Sequence, residues 1–154
     1  MGIKIITKNK HARFQYEIIE EIEAGIVLKG TEVKSLRMGK VNLKESYATV
    51  KDGEIYVQNM HISPYEQGNI YNHDPLRERK LLLHKQEIKR LSVKVLERGM
   101  TLVPLKVYFK DGRAKIELGL GKGKKFFDKR KDIARRDAER DIQREFKERK
   151  KYGL

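Results

Sequence analysis

Cysteine and tryptophan are absent from this 154-residue sequence, and proline occurs only three times. Without cysteine, the chain has no disulfide bonds and no thiolate zinc site. No apolar run approaches the roughly 18 residues that a membrane-spanning helix requires. The N-terminal sequence begins Met1-Gly2-Ile3-Lys4 and lacks the apolar stretch of a secretory signal peptide. These absences predict a cytoplasmic protein with no membrane partner.

Positive charge, in contrast, is abundant. The chain contains 36 Lys and Arg against 22 Asp and Glu, which gives a formal net charge of +14. Half of this excess lies in residues 122–154, where 14 basic residues stand against 7 acidic ones. Because cationic patches bind phosphates, the expected partner is a polyanion, and nucleic acid is favoured over acidic lipid. A charge that serves only solubility is the alternative.

The charge distribution divides the chain into two parts. Residues 1–121 carry alternating apolar positions and predict a compact, β-rich body. Residues 122–154 contain too few apolar side chains to form a core. This tail has neither glycine nor proline between Lys129 and Lys151, so we predict that it is disordered, or helical when bound to RNA. A solvated helix that only raises solubility is the alternative.

Three β-hairpins are predicted in the body. The first begins with the alternating residues Phe14, Tyr16 and Ile18, turns at Gly25 and returns through Ile26–Gly30. The other two turn at Asp-Gly pairs, which favour tight two-residue loops.

Asp52-Gly53 joins Tyr47–Lys51 to Glu54–Ile62, and Asp111-Gly112 lies between two alternating apolar segments. Pro104 predicts that the strand before Asp111 begins near residue 104 or lies at a sheet edge.

Two helices are predicted between the hairpins. One spans Gly30–Gly39 with Thr31 as its N-cap, and the other spans Lys85–Arg98 and ends at Gly99. Four apolar residues share one face of the second helix, and we expect them to be buried: Ile88, Leu91, Val95 and Leu96. Asn9 is a candidate cap for a short helical turn, and the polar segment from Ser63 to Asp74 is predicted to be a loop.

Short antiparallel strands with short helices predict a mainly β chain of the α+β class. Such strands usually close into a small barrel, because closure removes exposed edges. An OB-type barrel is a common oligonucleotide binder among small barrels, although periodicity alone does not determine the topology. We therefore predict a small OB-type antiparallel barrel followed by the basic tail.

No motif in the sequence predicts catalysis. Gly119–Lys125 is rich in glycine and lysine, but it lacks the spacing and the hydroxyl residue of a nucleotide-binding P-loop. We interpret it as a flexible, basic hinge. The four histidines are scattered without metal-ligand spacing, and no nucleophile has a neighbouring base. The chain is therefore predicted to have no metal, no cofactor and no enzymatic activity, with a metal-independent nuclease as the alternative.

Two aromatic residues at the start of the tail lie among basic ones. Phe126 and Phe127 follow Lys124-Lys125 and precede Lys129-Arg130. Exposed rings beside cations are suited to stacking on unpaired bases, at about 1–3 kcal/mol per base. We predict that Phe126 anchors the root of the tail and that Phe127 stacks.

A set of motifs extends over nearly the whole chain. They are Asn9-x-x-Ala12-x-x-x-Tyr16-x-Ile18, Glu23-Ala24-Gly25-Ile26-x-Leu28, Gly30-Thr31-Glu32-Val33-Lys34-Ser35-Leu36-Arg37-x-Gly39, Asn42-Leu43, Asp74-Pro75, Arg79-Lys80-Leu81-Leu82-Leu83, Lys122-Gly123-Lys124-Lys125 and Asp128-Lys129-Arg130. In this combination the sequence resembles the small protein B family, also called SsrA-binding protein.

The resemblance implies an OB-type barrel with helices and a C-terminal tail that is unstructured in solution. It also implies a monomeric adaptor that binds the tRNA-like domain of transfer-messenger RNA (tmRNA, or SsrA RNA). Elongation factor Tu with GTP would deliver this complex to a bacterial ribosome that has stalled without a codon in its A site. The tail would occupy the vacant decoding centre and the mRNA channel, and trans-translation would tag the nascent chain and free the ribosome.

Site residues follow from the same motif positions. By resemblance, Glu23, Leu82 and Lys115 support an RNA-binding face on the barrel. Because Glu23 repels phosphate, we expect it either to form a hydrogen bond with a base or ribose or to orient a nearby basic residue. Charge alone suggests three further phosphate contacts, at Lys34, Arg37 and Lys80. The predicted ribosome-binding residues of the tail are Gly123, Lys124, Lys125, Phe127, Asp128, Lys129 and Arg130.

One position departs from the family pattern. Residue 127 is Phe, where the family often has His or Tyr. The change preserves stacking and removes a polar ring contact. A structural ribosomal or ribosome-assembly protein with a basic extension is the alternative function.

Overall fold

The computed structural model describes residues 2–65, 72–123 and Arg140. Predictions for the tail beyond Gly123, and for the middle of the 63–74 loop, therefore lie outside the described residues. Three helices occur in the described part, and they are α1 (Ala12–Gln15), α2 (Gly30–Arg37) and α3 (Lys85–Leu96). The strands are β1 (Ile3–Lys8), β2 (Tyr16–Ile26), β3 (Val41–Asn42), β4 (Tyr47–Lys51), β5 (Glu54–Gln58), β6 (His61–Ile62), β7 (Arg79–Leu82), β8 (Thr101–Lys110) and β9 (Arg113–Gly123).

Seven of these strands form one antiparallel sheet in the order β1-β8-β4-β5-β7-β2-β9. An additional pairing between β8 and β9 closes six of them into a ring, and β1 pairs with β8 outside that ring. Strands β3 and β6 form a separate two-stranded ladder. The predicted OB-type antiparallel barrel with short helices is confirmed.

The first predicted hairpin is wrong. Tyr16–Ile26 forms one continuous strand, which pairs with β9 and, at its end, with β7. Gly25 does not turn the chain. A Cβ atom there would lie 3.2 Å from the Cβ of Leu82, so glycine leaves room for the Leu82 side chain of β7. The predicted returning strand, Ile26–Gly30, instead leads into α2.

The second and third hairpins are confirmed. The β4–β5 turn places Asp52 and Gly53 at φ 51° and 72°, and the β8–β9 turn places Asp111 and Gly112 at 51° and 79°. Positive φ at both central residues matches the twist of paired strands. Pro104 lies inside β8, where the register with β9 shifts between Pro104 and Lys106. An irregularity of this kind accommodates a residue that has no N–H to donate.

The hinge interpretation of Gly119–Lys125 is wrong for residues 119–123, which belong to β9. A Cβ atom at Gly119 would lie 3.0 Å from the Leu105 side chain, and one at Gly121 would lie 3.0 Å from the Glu17 carbonyl oxygen. These two glycines therefore allow close packing within the sheet rather than flexibility. Lys124 and Lys125 lie outside the described residues.

The sequence patterns missed β1 and β7. The first is short and lies in a basic, mixed segment, and its two alternating isoleucines, Ile3 and Ile5, are exposed rather than in the core. The second has only four residues, and it begins in a run that looks like a basic surface segment.

The three helices occur near their predicted positions, and the predicted N-cap of α2, Thr31, is wrong. Lys29 is the N-cap of α2, and its N–H donates to the Glu32 carboxylate at 2.7 Å. The Thr31 hydroxyl is instead 2.8 Å from His73 Nδ1. At the turn that Asn9 was predicted to cap, Asn9 Oδ1 accepts a hydrogen bond from the His11 N–H at 3.3 Å. Asn9 donates to the Pro104 carbonyl oxygen at 3.1 Å, which ties the start of α1 to β8.

Helix α3 ends at Leu96, earlier than predicted, and Gly99 follows with φ 66°. Ile88 and Leu91 are buried as predicted, whereas Leu96 is 70% exposed, so its predicted burial is wrong.

The main core fills the barrel and the contact with α2 and α3. It comprises Ile22, Ala24, Ile26, Leu36, Leu43, Ala48, Ile55, Val57, Met60, Ile62, Leu81, Ile88, Leu91, Leu102, Val107, Ile116, Leu118 and Leu120. Alternating residues of β2 and β9 point into this core, so the residues between them point outward. Among the described residues, no helix is long and apolar enough to span a membrane.

Candidate nucleic-acid interface

The outward residues of β7, β2, β9 and β8 form a continuous surface. We call it the barrel face and define it by Leu82, Glu23, Gly25, Lys115 and Tyr108. Gly25 is the centre of this surface, because it pairs with Leu82 on one side and with Lys115 on the other. The structure thus brings together the three barrel residues that the sequence resemblance implied, although they are far apart in the chain.

A groove of about 310 Å³ opens on the barrel face. Its lining consists of Gly25, Ile26, Leu28, Val33, Leu82, Phe109, Gly112, Arg113, Ala114 and Lys115. Most of these residues are apolar, and Leu82 is 54% exposed in spite of its size. Arg113 and Lys115 add positive charge and, within the described part of the chain, form no ion pair. An apolar floor beside cations is suited to an unpaired nucleotide with its phosphate.

Glu23 lies beside this groove, and its carboxylate is held by two groups of β8. The Tyr108 hydroxyl donates a hydrogen bond to Oε2, and Lys110 Nζ is 3.5 Å from the same oxygen. The Tyr108 hydrogen bond, followed by Lys110 and Lys115, lowers the pKa of Glu23, so this carboxylate is ionised at neutral pH. Burial and the negative charge of Glu23 raise the pKa of Tyr108, which keeps its proton.

Lys80 points outward on β7, two residues before Leu82, and so belongs to the same side of the sheet. Its ammonium is 3.6 Å from Glu54, and it pairs in register with Tyr56. Lys80 is therefore available at the border of the barrel face, with part of its charge already offset by a carboxylate.

Lys34 and Arg37 are exposed on α2 rather than on the strands. Lys34 Nζ lies 5.2 Å from the centre of the Tyr65 ring, a cation–π distance. Helix α2 borders the groove through Val33. These two cations thus belong to a separate element next to the groove.

Helix α2 is fixed by a buried ion cluster that the sequence patterns did not reveal. Glu32 and Arg79 are both fully buried, and Arg79 Nε donates to Glu32 Oε2. Arg77 Nη2 donates to Glu32 Oε1 at 2.6 Å. Arg79 also donates to the carbonyl oxygens of Met60 and Pro75, the latter at 3.2 Å.

Burial opposes both charges of this cluster. Burial by itself would raise the pKa of Glu32, but the hydrogen bonds from Arg77, the Lys29 N–H and Arg79 outweigh it and lower that pKa. The pKa of Arg79 is also lowered, mainly by burial, which Glu32 offsets only in part. The cluster therefore stays ionised, and it serves orientation more than net stability.

Two further contacts attach the ends of the 63–74 loop to α2. Ser35 Oγ donates to the Ser63 carbonyl oxygen at 2.7 Å. His73 is buried, with Nε2 2.9 Å from the Ile62 carbonyl oxygen and Nδ1 facing Thr31. Hydrogen bonds thus connect the helix to both ends of the loop, whereas residues 66–71 lie outside the described part.

A second groove, of about 340 Å³, lies near α1 and contains Lys8, Asn9, Lys10, Arg13, Glu21, Leu105, Lys106 and Glu117. Arg13 pairs with Glu21, and Lys106 Nζ is 3.2 Å from Glu117. Since much of its charge is paired internally, it is less suited to phosphate than the first groove.

Comparison with known proteins identifies the family. The family model described as "SmpB protein" matches residues 6–148. The chain belongs to the SmpB protein family.

Curated relatives of this SmpB-family chain carry the name "SsrA-binding protein". The relative from Syntrophomonas wolfei is 62% identical over 148 residues, which cover 96% of this chain and 94% of the relative. The relative from Acetivibrio thermocellus is 63% identical, and the match covers 94% of both chains.

A solved structure described as "tmRNA-SmpB: a journey to the center of the bacterial ribosome" contains a similar chain. That chain is 58% identical to this one and superposes with a TM-score of 0.65. The match covers 78% of this chain and 85% of the other.

The match to the family model, over residues 6–148, includes most of the tail. The structure shows where the body ends and the tail begins. Gly123 is the last residue of β9 and pairs with Tyr16 of β2. The other predicted tail residues, from Lys124 to Arg130, lie outside the described residues, as does the predicted division of roles between Phe126 and Phe127. Their functions remain predictions from the sequence.

Proposed function

We propose that this chain is a non-enzymatic RNA-binding adaptor of trans-translation. It binds the tRNA-like domain of tmRNA and accompanies it into bacterial ribosomes that have stalled without a codon in the A site. The observation that carries the proposal is its membership of the SmpB protein family over residues 6–148, together with relatives named SsrA-binding protein at about 60% identity.

The barrel face supplies the tmRNA-binding surface in this proposal. Leu82 offers an exposed apolar contact, and Lys115 offers a cation that forms no ion pair with another described residue. Lys80, Lys34 and Arg37 add phosphate contacts at the border of the groove. Glu23 repels phosphate and therefore contacts a hydrogen-bond donor of the RNA instead.

The tail occupies the vacant decoding centre and the mRNA channel, through Gly123, Lys124, Lys125, Phe127, Asp128, Lys129 and Arg130. Its 14 basic residues among 33 support binding to the phosphates of ribosomal RNA. In this proposal, elongation factor Tu with GTP delivers the complex through tmRNA, and the chain acts in the cytoplasm as a monomer.

Removal of the tail tests this division of labour. A chain truncated after Gly123 keeps the whole of β9. We expect its dissociation constant for the isolated tRNA-like domain to stay within about threefold of the full-length value, because the barrel face is intact. Tagging of nascent chains on ribosomes stalled in a reconstituted system should be lost. If the truncated chain lost its affinity for the tRNA-like domain as severely as it lost tagging activity, the separate roles of body and tail would be contradicted.

A matched substitution sharpens the test. Replacing Leu82 with Ser should have the opposite effect, lowering affinity for the tRNA-like domain while leaving the tail unchanged.

The alternative, a structural ribosomal protein, predicts stoichiometric presence of this chain in idle ribosomes after a high-salt wash, and mixed ribosomal RNA after copurification. Copurification of one dominant tmRNA species would support the adaptor.

A further inference from the structure

Tyr108 connects strands that are not neighbours. It lies on β8, in register with Lys115 of β9, whereas Glu23 lies one strand further, on β2. Two strand spacings amount to about 10 Å. The tyrosine side chain lies across the outside of β9 to reach the Glu23 carboxylate, and it is only 4% exposed. A side chain in this position can fix a carboxylate that would otherwise rotate freely on the surface.

The contact uses only one of the two carboxylate oxygens. Tyr108 and Lys110 both approach Oε2 of Glu23. Within the described part of the chain, Oε1 accepts no hydrogen bond, and 39% of the Glu23 side chain is exposed. Glu23 thus presents one oriented acceptor to solvent, at the edge of the groove that Gly25, Leu82 and Lys115 help to form.

Tyr108 itself is held from several sides. Lys106 Nζ lies 5.5 Å from the centre of its ring, and the same ammonium is 3.2 Å from Glu117. Glu117 is the residue directly opposite Glu23 on β9, so this ion pair reduces repulsion between the two carboxylates. The arrangement keeps the aromatic ring and the acceptor in one geometry before any ligand arrives.

We propose that Tyr108 is a positioning residue for RNA binding, holding Glu23 so that Oε1 accepts a hydrogen bond from a donor group of an unpaired nucleotide. The donor is either a ribose 2′-hydroxyl or an imino or amino group of a base, since both are N–H or O–H donors that a carboxylate reads. The inference rests on the proposed function, because it assigns a role within the same barrel face.

Substitution of Tyr108 by Phe tests this role, because it removes the hydroxyl and keeps the ring. We expect the affinity of the full-length chain for the tRNA-like domain of tmRNA to fall about tenfold, the same loss that we expect for Glu23→Ala. In the double variant the loss should be no greater than for Glu23→Ala alone. Tyr47→Phe is the matched control, because Tyr47 is exposed on β4 and its hydroxyl has no hydrogen bond within the described part.

Glu23→Asp provides a second variant, independent of any effect of Tyr108→Phe on folding. It keeps the charge but shortens the side chain beyond the reach of the Tyr108 hydroxyl, so affinity should fall to a similar extent. A titration of the Glu23 carboxyl by NMR supplies a direct readout: Tyr108→Phe should raise its pKa toward the ordinary value of 4.5. If the role of Tyr108 were purely structural, Tyr108→Phe would lower the melting temperature. Its loss of RNA-binding free energy would then add to the loss caused by the Glu23 variants.

The donor is identified with synthetic RNAs that carry single 2′-deoxy or inosine-for-guanosine replacements at unpaired positions. If a 2′-deoxy replacement abolishes the loss of affinity caused by Glu23→Ala, the donor is the ribose. If an inosine replacement does so, the donor is the base. Two results would overturn the inference, provided that the wild type binds the RNA. One is an affinity of Tyr108→Phe and of Glu23→Asp equal to that of the wild type. The other is a loss of affinity in the double variant that equals the sum of the two single losses. Failure of the wild type to bind the RNA would instead overturn the proposed function as well.

Discussion

Lys115 and Lys106 illustrate, at the scale of single residues, how pairing decides the availability of a charge. Both are lysines of the β8–β9 hairpin, and both point away from the core. Lys106 forms an ion pair with Glu117 at 3.2 Å, whereas Lys115 lines the groove without such a partner in the described part of the chain. The sequence alone does not distinguish the two lysines. Of the two, Lys115 is the one whose charge is available to neutralise a phosphate and so release its counterions.

This difference predicts the salt dependence of two variants. Lys115→Gln should weaken binding to the tRNA-like domain and reduce the slope of log K against log salt by about one. Lys106→Gln is the matched control, and its slope should change less, because its charge is already neutralised by Glu117. Fluorescence anisotropy at several salt concentrations measures both slopes. Equal slopes for Lys115→Gln and the wild type would contradict a phosphate contact at residue 115.

At the scale of elements, the cluster of Glu32, Arg77 and Arg79 connects α2, β7 and the segment before β7. Burying these charges is costly, but removing one partner costs more, because it leaves the others buried without compensation. The cluster also determines where α2 lies, and with it Lys34, Arg37 and Val33 at the edge of the groove. The orientation of α2 therefore depends on residues that contact no RNA in our proposal.

Stability should depend on pH through this cluster. The pKa of Glu32 is lowered below its ordinary value of 4.5 in the folded chain, so the unfolded chain binds a proton more readily. The contribution of Glu32 is complete above about pH 4.5 and is lost as pH falls through its folded pKa. Glu32→Gln should lose about 3 kcal/mol of unfolding free energy at pH 7 and show a shallower acid dependence.

Urea unfolding at a series of pH values measures this effect. Glu20→Gln is the matched control, because Glu20 also has a lowered pKa but pairs with Arg90 at a more exposed site, where an ion pair contributes at most about 1 kcal/mol. Glu32→Gln with wild-type stability at pH 7 would contradict the importance of the buried cluster.

At the scale of the whole molecule, the chain divides into two units, residues 1–123 and 124–154. In the part of the chain that the structure describes, the main core lies in the first unit. The sequence of the second unit contains 13 basic and 7 acidic residues, so it carries a net charge of +6 out of +14. A body that contains the core and a tail that contains much of the charge are suited to two different RNA partners.

This organisation predicts that the body folds without the tail. The chain truncated after Gly123 should melt cooperatively, within a few degrees of the full-length chain, because it keeps every residue of the main core described above. Circular dichroism during heating measures the transition, and the full-length chain is the control. A loss of more than about 10 °C in melting temperature would indicate that the tail stabilises the barrel, contrary to the proposed roles.

Local chemistry in the sequence was sufficient to predict several features of this protein. The Asp-Gly pairs at 52–53 and 111–112 determine two hairpins, because few residues adopt positive φ at both positions of a tight turn. The spacing of Ile88 and Leu91 determines the buried side of α3, and the excess of Lys and Arg determines that the partner is a polyanion. The motifs were specific enough to predict the family as well.

Only the tertiary structure decided the roles of Gly25, Arg79 and Tyr108. The sequence analysis predicted a turn at Gly25 and assigned no role to Arg79 or Tyr108. Each takes its role from a residue far away in the chain: Leu82, Glu32 and Glu23. Closure of the barrel brings these pairs together. Local patterns report backbone preference and burial, whereas contacts between distant strands depend on the register, which no short segment encodes.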